Sequence, residues 1–227
     1  MRGVSVLAIL LCLPVVAAAQ GIEIGASFVT TGGYDAGQQS GFETPNSTNP
    51  NAPPFTLFTT TSSVTTAIGV EGRLSVLVSR RVAVEGTFQV TWPSVQTRVA
   101  DDFENAPSLT AEQRVTSYLG GGSLLYHFGS GRFLPFVAGG ASYLRQLYED
   151  NTVVVTGAEI HGGGGLKYWL GSGRHGFGLR AEAQLSIRDK SVGFEDKRQM
   201  VPVVAVGALK MLPRYQVVSE PVPPLVA

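Results

Sequence analysis

Apolar and polar residues alternate with a period of two over long stretches of this chain. In RVAVEGTFQVTW, residues 81–92, Val82, Val84, Phe88, Val90 and Trp92 fall on one face with Gly86 among them. Ala83, Glu85, Thr87, Gln89 and Thr91 fall on the other. In FGLRAEAQLSIR, residues 177–188, Phe177, Leu179, Ala181, Ala183, Leu185 and Ile187 share one face, and Gly178, Arg180, Glu182, Gln184, Ser186 and Arg188 share the opposite one. Side chains of a strand point alternately to its two faces, so this period is the mark of β-structure. Extended along the chain, it predicts eight strands, at 21–30, 63–78, 81–99, 113–128, 133–148, 157–170, 176–189 and 199–211. The connections 79–80, 129–132 and 171–175 are tight. Those at 31–62, 100–112, 149–156 and 190–198 are longer and polar, and the Gly-, Pro-, Asn- and Thr-rich 31–62 segment is expected to be a mobile loop with no strand.

Long strands in even number, joined alternately by tight turns and long loops, follow the pattern of a membrane barrel. The expected fold class is therefore all-β, an eight-stranded antiparallel transmembrane up-and-down β-barrel. A soluble barrel or sandwich would turn the apolar face inward and leave the charges in water. Here the polar faces carry both signs of charge, which suits a closed and salt-bridged lumen. With the apolar faces toward lipid, Glu23, Glu71, Arg73, Glu85, Arg145, Glu159, Lys167, Arg180, Glu182 and Arg188 turn inward. An eight-stranded barrel is barely wider than its own side chains, so these charges must pair to offset desolvation. Glu71, Arg73, Glu85, Lys167, Arg180 and Glu182 are the candidate network, either as scaffold or as the gate of a narrow path.

Composition adds a compartment. MRGVSVLAILLCLPVVAAAQ opens with Arg2, runs through the apolar stretch Val4–Leu13 and reaches small residues at Ala17–Ala19, the pattern of an export signal. The expected division is a leader at 1–19, a barrel at 20–211 and a Pro-rich periplasmic tail at 212–227. The single cysteine, Cys12, lies in the leader, so no disulfide and no cysteine metal site is expected in the mature chain. Lys and Arg number 17 and balance 17 Asp and Glu, which gives no reason to propose nucleic acid as a partner.

Three stretches, LPFVAGGASY at 134–143, HGGGGLKYWL at 161–170 and LRAEAQL at 179–185, resemble the OmpA-like eight-stranded outer-membrane barrels. The shared order is a Pro-aromatic strand start running into small residues, a Gly-Leu-Lys-Tyr strand leading to a periplasmic turn, and a strand with inward Arg and Glu. The resemblance implies a bacterial outer-membrane location, a surround of outer-membrane lipid and lipopolysaccharide, and assembly by the barrel-insertion machinery. It does not name a partner for the outer loops.

His161 with Gly162–Gly165 looks like an oxyanion-hole loop, but no G-x-S-x-G nucleophile elbow accompanies it. The glycines read instead as space-makers in a curved barrel. Of the three histidines, only His161 is expected to face the lumen; His127 is placed near a strand end and His175 in a turn. No metal, cofactor or catalytic residue is assigned. Trp92, Tyr118, Tyr126, Phe128, Phe133, Phe136, Tyr148, Tyr168 and Trp169 are expected to form the interfacial girdles. Asp35, Glu43, Asp101, Asp102, Glu104, Glu112, Glu149 and Asp150 make the long connections acidic, whereas Arg80, Arg132 and Arg174 mark the turns. The first expectation for function is a non-enzymatic envelope structural or surface-interaction protein with a plugged lumen. The second is a narrow channel for small solutes or ions. A lipid-modifying barrel enzyme ranks third, since it needs a Ser–His pair and His161 has no H-x-S neighbour.

Overall fold

The computed structural model describes residues 21–43, 55–102, 104–148, 154–171, 176–189 and 198–213. The expected leader, most of the tail and His175 lie outside these residues. The described residues hold no helix. They form eleven strands: β1 Gly21–Thr31, β2 Tyr34–Glu43, β3 Phe55–Val64, β4 Ala67–Leu77, β5 Val82–Thr91, β6 Ser94–Ala100, β7 Leu109–His127, β8 Phe133–Tyr148, β9 Val154–Trp169, β10 Gly176–Arg188 and β11 Gln199–Leu212. Eight of them, β1, β4, β5, β7, β8, β9, β10 and β11, pair antiparallel in a ring that closes between β7 and β8.

Strands β2, β3, β6 and the first residues of β7 make a second, four-stranded antiparallel sheet. This arm continues the β1–β4 and β5–β7 hairpins past the barrel, at the end opposite the tight turns. It corrects the expectation of a strandless 31–62 loop, because residues 34–43 and 55–64 are strands. It also corrects the two longest expected strands. Segment 63–78 is interrupted at Thr65–Thr66, and 81–99 at Trp92–Pro93. Pro93 brings no N–H to the ladder. The joint is stitched instead by the Thr65 hydroxyl, which accepts from the Ser94 N–H at 3.1 Å, and by the Thr65 N–H, which donates to the Ser94 carbonyl at 2.9 Å.

The distribution of side chains is inverted relative to a water-soluble barrel. Phe28 is 79% exposed and Ile68 71%, while Glu85 is 1% exposed and Lys167 fully buried. An outer belt of Ile24, Leu74, Val84, Phe88, Leu124, Val137, Ile160, Leu179, Leu185 and Val206 runs around the ring. A surface of that size and character needs lipid to cover it.

Candidate functional site

The inward side chains are layered along the barrel axis. At the turn end Leu77, Ala83, Leu125, Phe136 and Ala138 form an apolar cluster with Met211 packed on it. Trp169, Leu134 and His127 are fully buried at the same end. Phe136 and Trp169 were expected in the interfacial girdle; both point inward, because here the lumen itself is apolar. His127 also points inward, its Nδ1 3.2 Å from the Arg81 carbonyl oxygen. His161 is thus not the sole lumen histidine.

Above this plug sits the charge network. Arg73, on β4, pairs with Glu71 two residues before it and reaches Glu85 Oε1 at 2.9 Å and Glu182 Oε2 at 2.6 Å through Nη1. Arg180, on β10, makes a two-pronged contact with Glu85, at 2.6 and 3.0 Å, and contacts Glu182 through Nε at 2.8 Å. Ser75 donates to the second Glu85 oxygen at 2.5 Å, and Gln184 donates to Glu182. Three carboxylates therefore cage two guanidiniums drawn from opposite sides of the ring. The strand register explains it: Ser75 pairs with Glu85, and Gly165 pairs with Glu182, so small residues flank the charges on their neighbours.

Five of the six expected network residues meet in this cage. Lys167 is not in it but pairs with Glu23. Phe136 links the two groups, with the Arg180 guanidinium 4.5 Å and the Lys167 ammonium 5.7 Å from its ring centre. A third pair, Arg188–Glu159 at 3.1 Å, lies nearer the arm and is joined by Ser186. The Arg188 guanidinium stands 5.4 Å from the Tyr34 ring. Arg145 was expected inward; it is exposed on the outer face, because Leu144 takes the inward position and packs on Leu119. The inward charges among the described residues are thus Glu23, Glu71, Glu85, Glu159 and Glu182 against Arg73, Lys167, Arg180 and Arg188.

Glycine serves this interior in a way visible at two positions. A methyl group at Gly165 would stand 2.2 Å from the Ala181 carbonyl oxygen and 2.8 Å from the Phe136 ring. At Gly140 it would stand 2.1 Å from the Gly122 carbonyl oxygen and 2.8 Å from His161 Nε2. The first glycine makes room for the ring beneath the cations, the second for the lumen histidine.

Between the cage and the Arg188 pair a small polar chamber is lined by Glu71, Gln89, Ser123, Glu159, His161 and Arg188, among others. Here Ser123 Oγ lies 2.7 Å from His161 Nε2, and Ser142 Oγ lies 3.4 Å from Nδ1. This Ser–His pair joins β7 to β9 across β8, and no short-range motif announces it. A hydroxyl stands at Nδ1 where a hydrolase triad places a carboxylate, and the pair faces the lumen rather than lipid. Its arrangement is that of an internal hydrogen-bond clamp.

No family model and no curated protein matches the chain. Solved structures do resemble it. The outer membrane protein OprG of Pseudomonas aeruginosa superposes with a TM-score of 0.53 at 12% identity, over 86% of this chain and 97% of its own. Ail, the attachment invasion locus protein of Yersinia pestis, solved with the heparin analogue sucrose octasulfate, gives 0.48 at 11% identity over 85% and 99%. Neisserial surface protein A gives 0.44 at 12% identity over 85% and 97%. At such identities the likeness is one of fold: an eight-stranded barrel of the bacterial outer-membrane type.

Proposed function

We propose that the protein is a non-enzymatic component of the bacterial outer membrane, with an envelope structural or surface-interaction role. On this reading the leader at 1–19 exports it, the barrel-insertion machinery folds it, and lipid and lipopolysaccharide surround its belt. The observation that carries the reading is the stacking of two obstructions in one narrow lumen, the Phe136–Trp169 plug and the Arg73–Arg180 cage. Such a barrel anchors what projects from it, here the arm. Planar-bilayer recording of the full mature chain tests this. The expected trace is silent, and steady unitary openings would replace the structural reading with that of a narrow channel for small solutes or ions.

The channel reading has the polar chamber in its favour, since that part of the lumen is hydrophilic. Glu182→Ala separates the two. Removing this carboxylate frees one prong of both guanidiniums. A plugged barrel should then begin to conduct, whereas a working channel should conduct before the substitution and change mainly in ion selectivity after it. The Ser123–His161 contact favours the third-ranked reading, a lipid-modifying enzyme. Loss of ester hydrolysis in a Ser123→Ala variant, from a measurable wild-type rate, would promote it.

A further inference from the structure

The charges inside the barrel do not balance. Among the described residues the buried carboxylates are Glu23, Glu71, Glu85, Glu159 and Glu182, and the buried bases with fixed charge are Arg73, Lys167, Arg180 and Arg188. Glu23 is matched by Lys167 and Glu159 by Arg188. That leaves Glu71, Glu85 and Glu182 against Arg73 and Arg180, a surplus of one negative charge in the cage. A charge without its counter-charge is costly in so confined a space. Glu85 and Glu182 each touch both guanidiniums, so the surplus falls to Glu71. Glu71 touches Arg73 alone, through Oε1, and lines the polar chamber beside the cage.

A second observation points into that chamber. Gln89 stands directly opposite Glu71 in the β4–β5 register and is only 6% exposed. Yet it makes no hydrogen bond to Glu71 or to any other described residue, and it too lines the chamber. A buried amide costs free energy unless something answers it. Gln184 adds an oxygen to the same lining, because its amide nitrogen is already given to Glu182. The hydroxyls of Thr87 and Ser123 complete a set of oxygens drawn from β4, β5, β7 and β10.

The other charged or titratable groups of the lining are occupied. Arg188 is turned to Glu159 and the Tyr34 ring, and Glu159 accepts from both Arg188 and Ser186. The two hydroxyls beside His161, one accepting and one donating, satisfy a neutral imidazole. The chamber itself has a volume of about 20 Å³, room for about one water-sized particle. Water would fill it but would leave the surplus charge.

We infer that this chamber is a binding site for one small monovalent cation of the sodium kind, the counter-charge of the cage. Glu71 supplies its charge, and Gln89, Gln184, Thr87 and Ser123 supply neutral oxygens. Hard cations take such ligands. A surplus of one charge selects a monovalent ion. No group of three or more His, Cys, Asp or Glu able to hold a metal gathers among the described residues, so a transition metal has no ligand set here. The inference goes beyond the envelope role and does not depend on it.

The test is urea unfolding of the refolded mature chain in vesicles, in sodium chloride against choline chloride at matched ionic strength and neutral pH. Choline is too large for the chamber. Above half-saturation, each tenfold rise in sodium should raise the folding equilibrium constant about tenfold, whereas choline should not. Gln89→Leu leaves every charge in place and should lose most of this response. Glu71→Gln keeps an acceptor for Arg73 and removes the surplus, so it should exceed the wild type in choline and be indifferent to sodium. Heat-modifiable gel migration confirms that each variant has inserted, and the wild-type comparison of salts stands without them. Equal wild-type stability in the two salts would overturn the site. A proton on Glu71 or His161 would give that result, with stability falling as pH rises. A sodium response retained by both variants would place the ion elsewhere and would also overturn it.

Discussion

The barrel and the arm are built from the same strands by two different rules. In the barrel each strand separates two unlike environments, lipid outside and a charged or plugged lumen inside. Glu85 and Val84 are neighbours in sequence and opposites in surroundings, one in the cage and the other on the belt. In the arm both faces of the sheet approach water. The middle of β3, Thr59–Thr60–Thr61–Ser62–Ser63, is hydroxyl-bearing on both sides. The arm's buried core is confined to its root, where Ala36, Val64, Val95 and Val115 cluster beneath Tyr34 and Tyr148. The barrel is held by side chains converging on its axis; beyond its root, the arm is held chiefly by its backbone ladder.

The widest gap between the two regions should appear when a charge is removed from each. Glu85 binds both guanidiniums of the cage, so Glu85→Ala leaves the buried Arg73 and Arg180 sharing Glu182, with Glu71 on Arg73 alone. A loss of about 3–5 kcal/mol is expected in a urea refolding titration into vesicles. Arg98, on the arm, is exposed and among the described residues reaches the Ser108 hydroxyl at 3.4 Å. Arg98→Ala should change stability by less than about 0.5 kcal/mol. Similar losses for the two would mean that the cage contributes no more than a surface contact.

The next comparison is across the barrel wall. Leu179→Arg or Val84→Arg places a cation on the belt and should cost about 2–4 kcal/mol near the bilayer midplane. Gln184→Arg places it beside Glu182 in a lumen whose described charges already favour acids, and should cost less. Equal costs for the two faces would break the inside–outside assignment.

The two rules also explain what could be read in the sequence. Where one face is lipid and the other charged, the period of two was legible. The faces of 81–92 and 177–188, and the inward placement of Glu71, Arg73, Glu85, Arg180 and Glu182, follow from it directly. The reading fails where the lumen is itself apolar. Phe136 and Trp169 belong to the plug, and Leu144 packs on Leu119 inside, so the assumption that apolar means lipid-facing gives these positions and Arg145 the wrong side. It fails again in the arm, where hydroxyl and amide side chains on both faces leave no contrast to alternate. The Ser123–His161 clamp was out of reach for another reason. Its members are 38 residues apart and meet only through the register of β7, β8 and β9.

A smaller effect separates two kinds of glycine within the barrel. Gly165 faces inward with the Ala181 carbonyl oxygen in the space a methyl group would take, so Gly165→Ala should cost about 1–3 kcal/mol by overpacking. Gly72 faces outward with nothing within 4 Å of that space. Gly72→Ala should be neutral, or gain about 0.5 kcal/mol from reduced freedom of the unfolded chain. Urea midpoints of the two variants check the pair. Indistinguishable midpoints would show that the interior relaxes around the added methyl group.

The smallest effect should come from the largest excision. Tyr34 and Val64 face each other across the β2–β3 ladder, so residues 35–63 can be replaced by a two-residue Asn-Gly turn that closes a hairpin between them. The excision keeps Tyr34 and Val64, and with them most of the root cluster and the Arg188–Tyr34 contact. It keeps every pairing of the eight-stranded ring, because β1 meets β4 from Thr31 and Ala67 downward. It removes the edge strand β2 and β3, and leaves β6 paired with β7. Loop shortening of this extent changes closure entropy by only about 1 kcal/mol. The barrel should therefore refold, retain heat-modifiable migration and unfold within about 1 kcal/mol of the parent. A variant that fails to fold would show that the arm is part of the barrel's cooperative unit. Full stability would show that β2 and β3 are maintained for what they present rather than for what they hold together, which is the expectation for a surface-interaction protein.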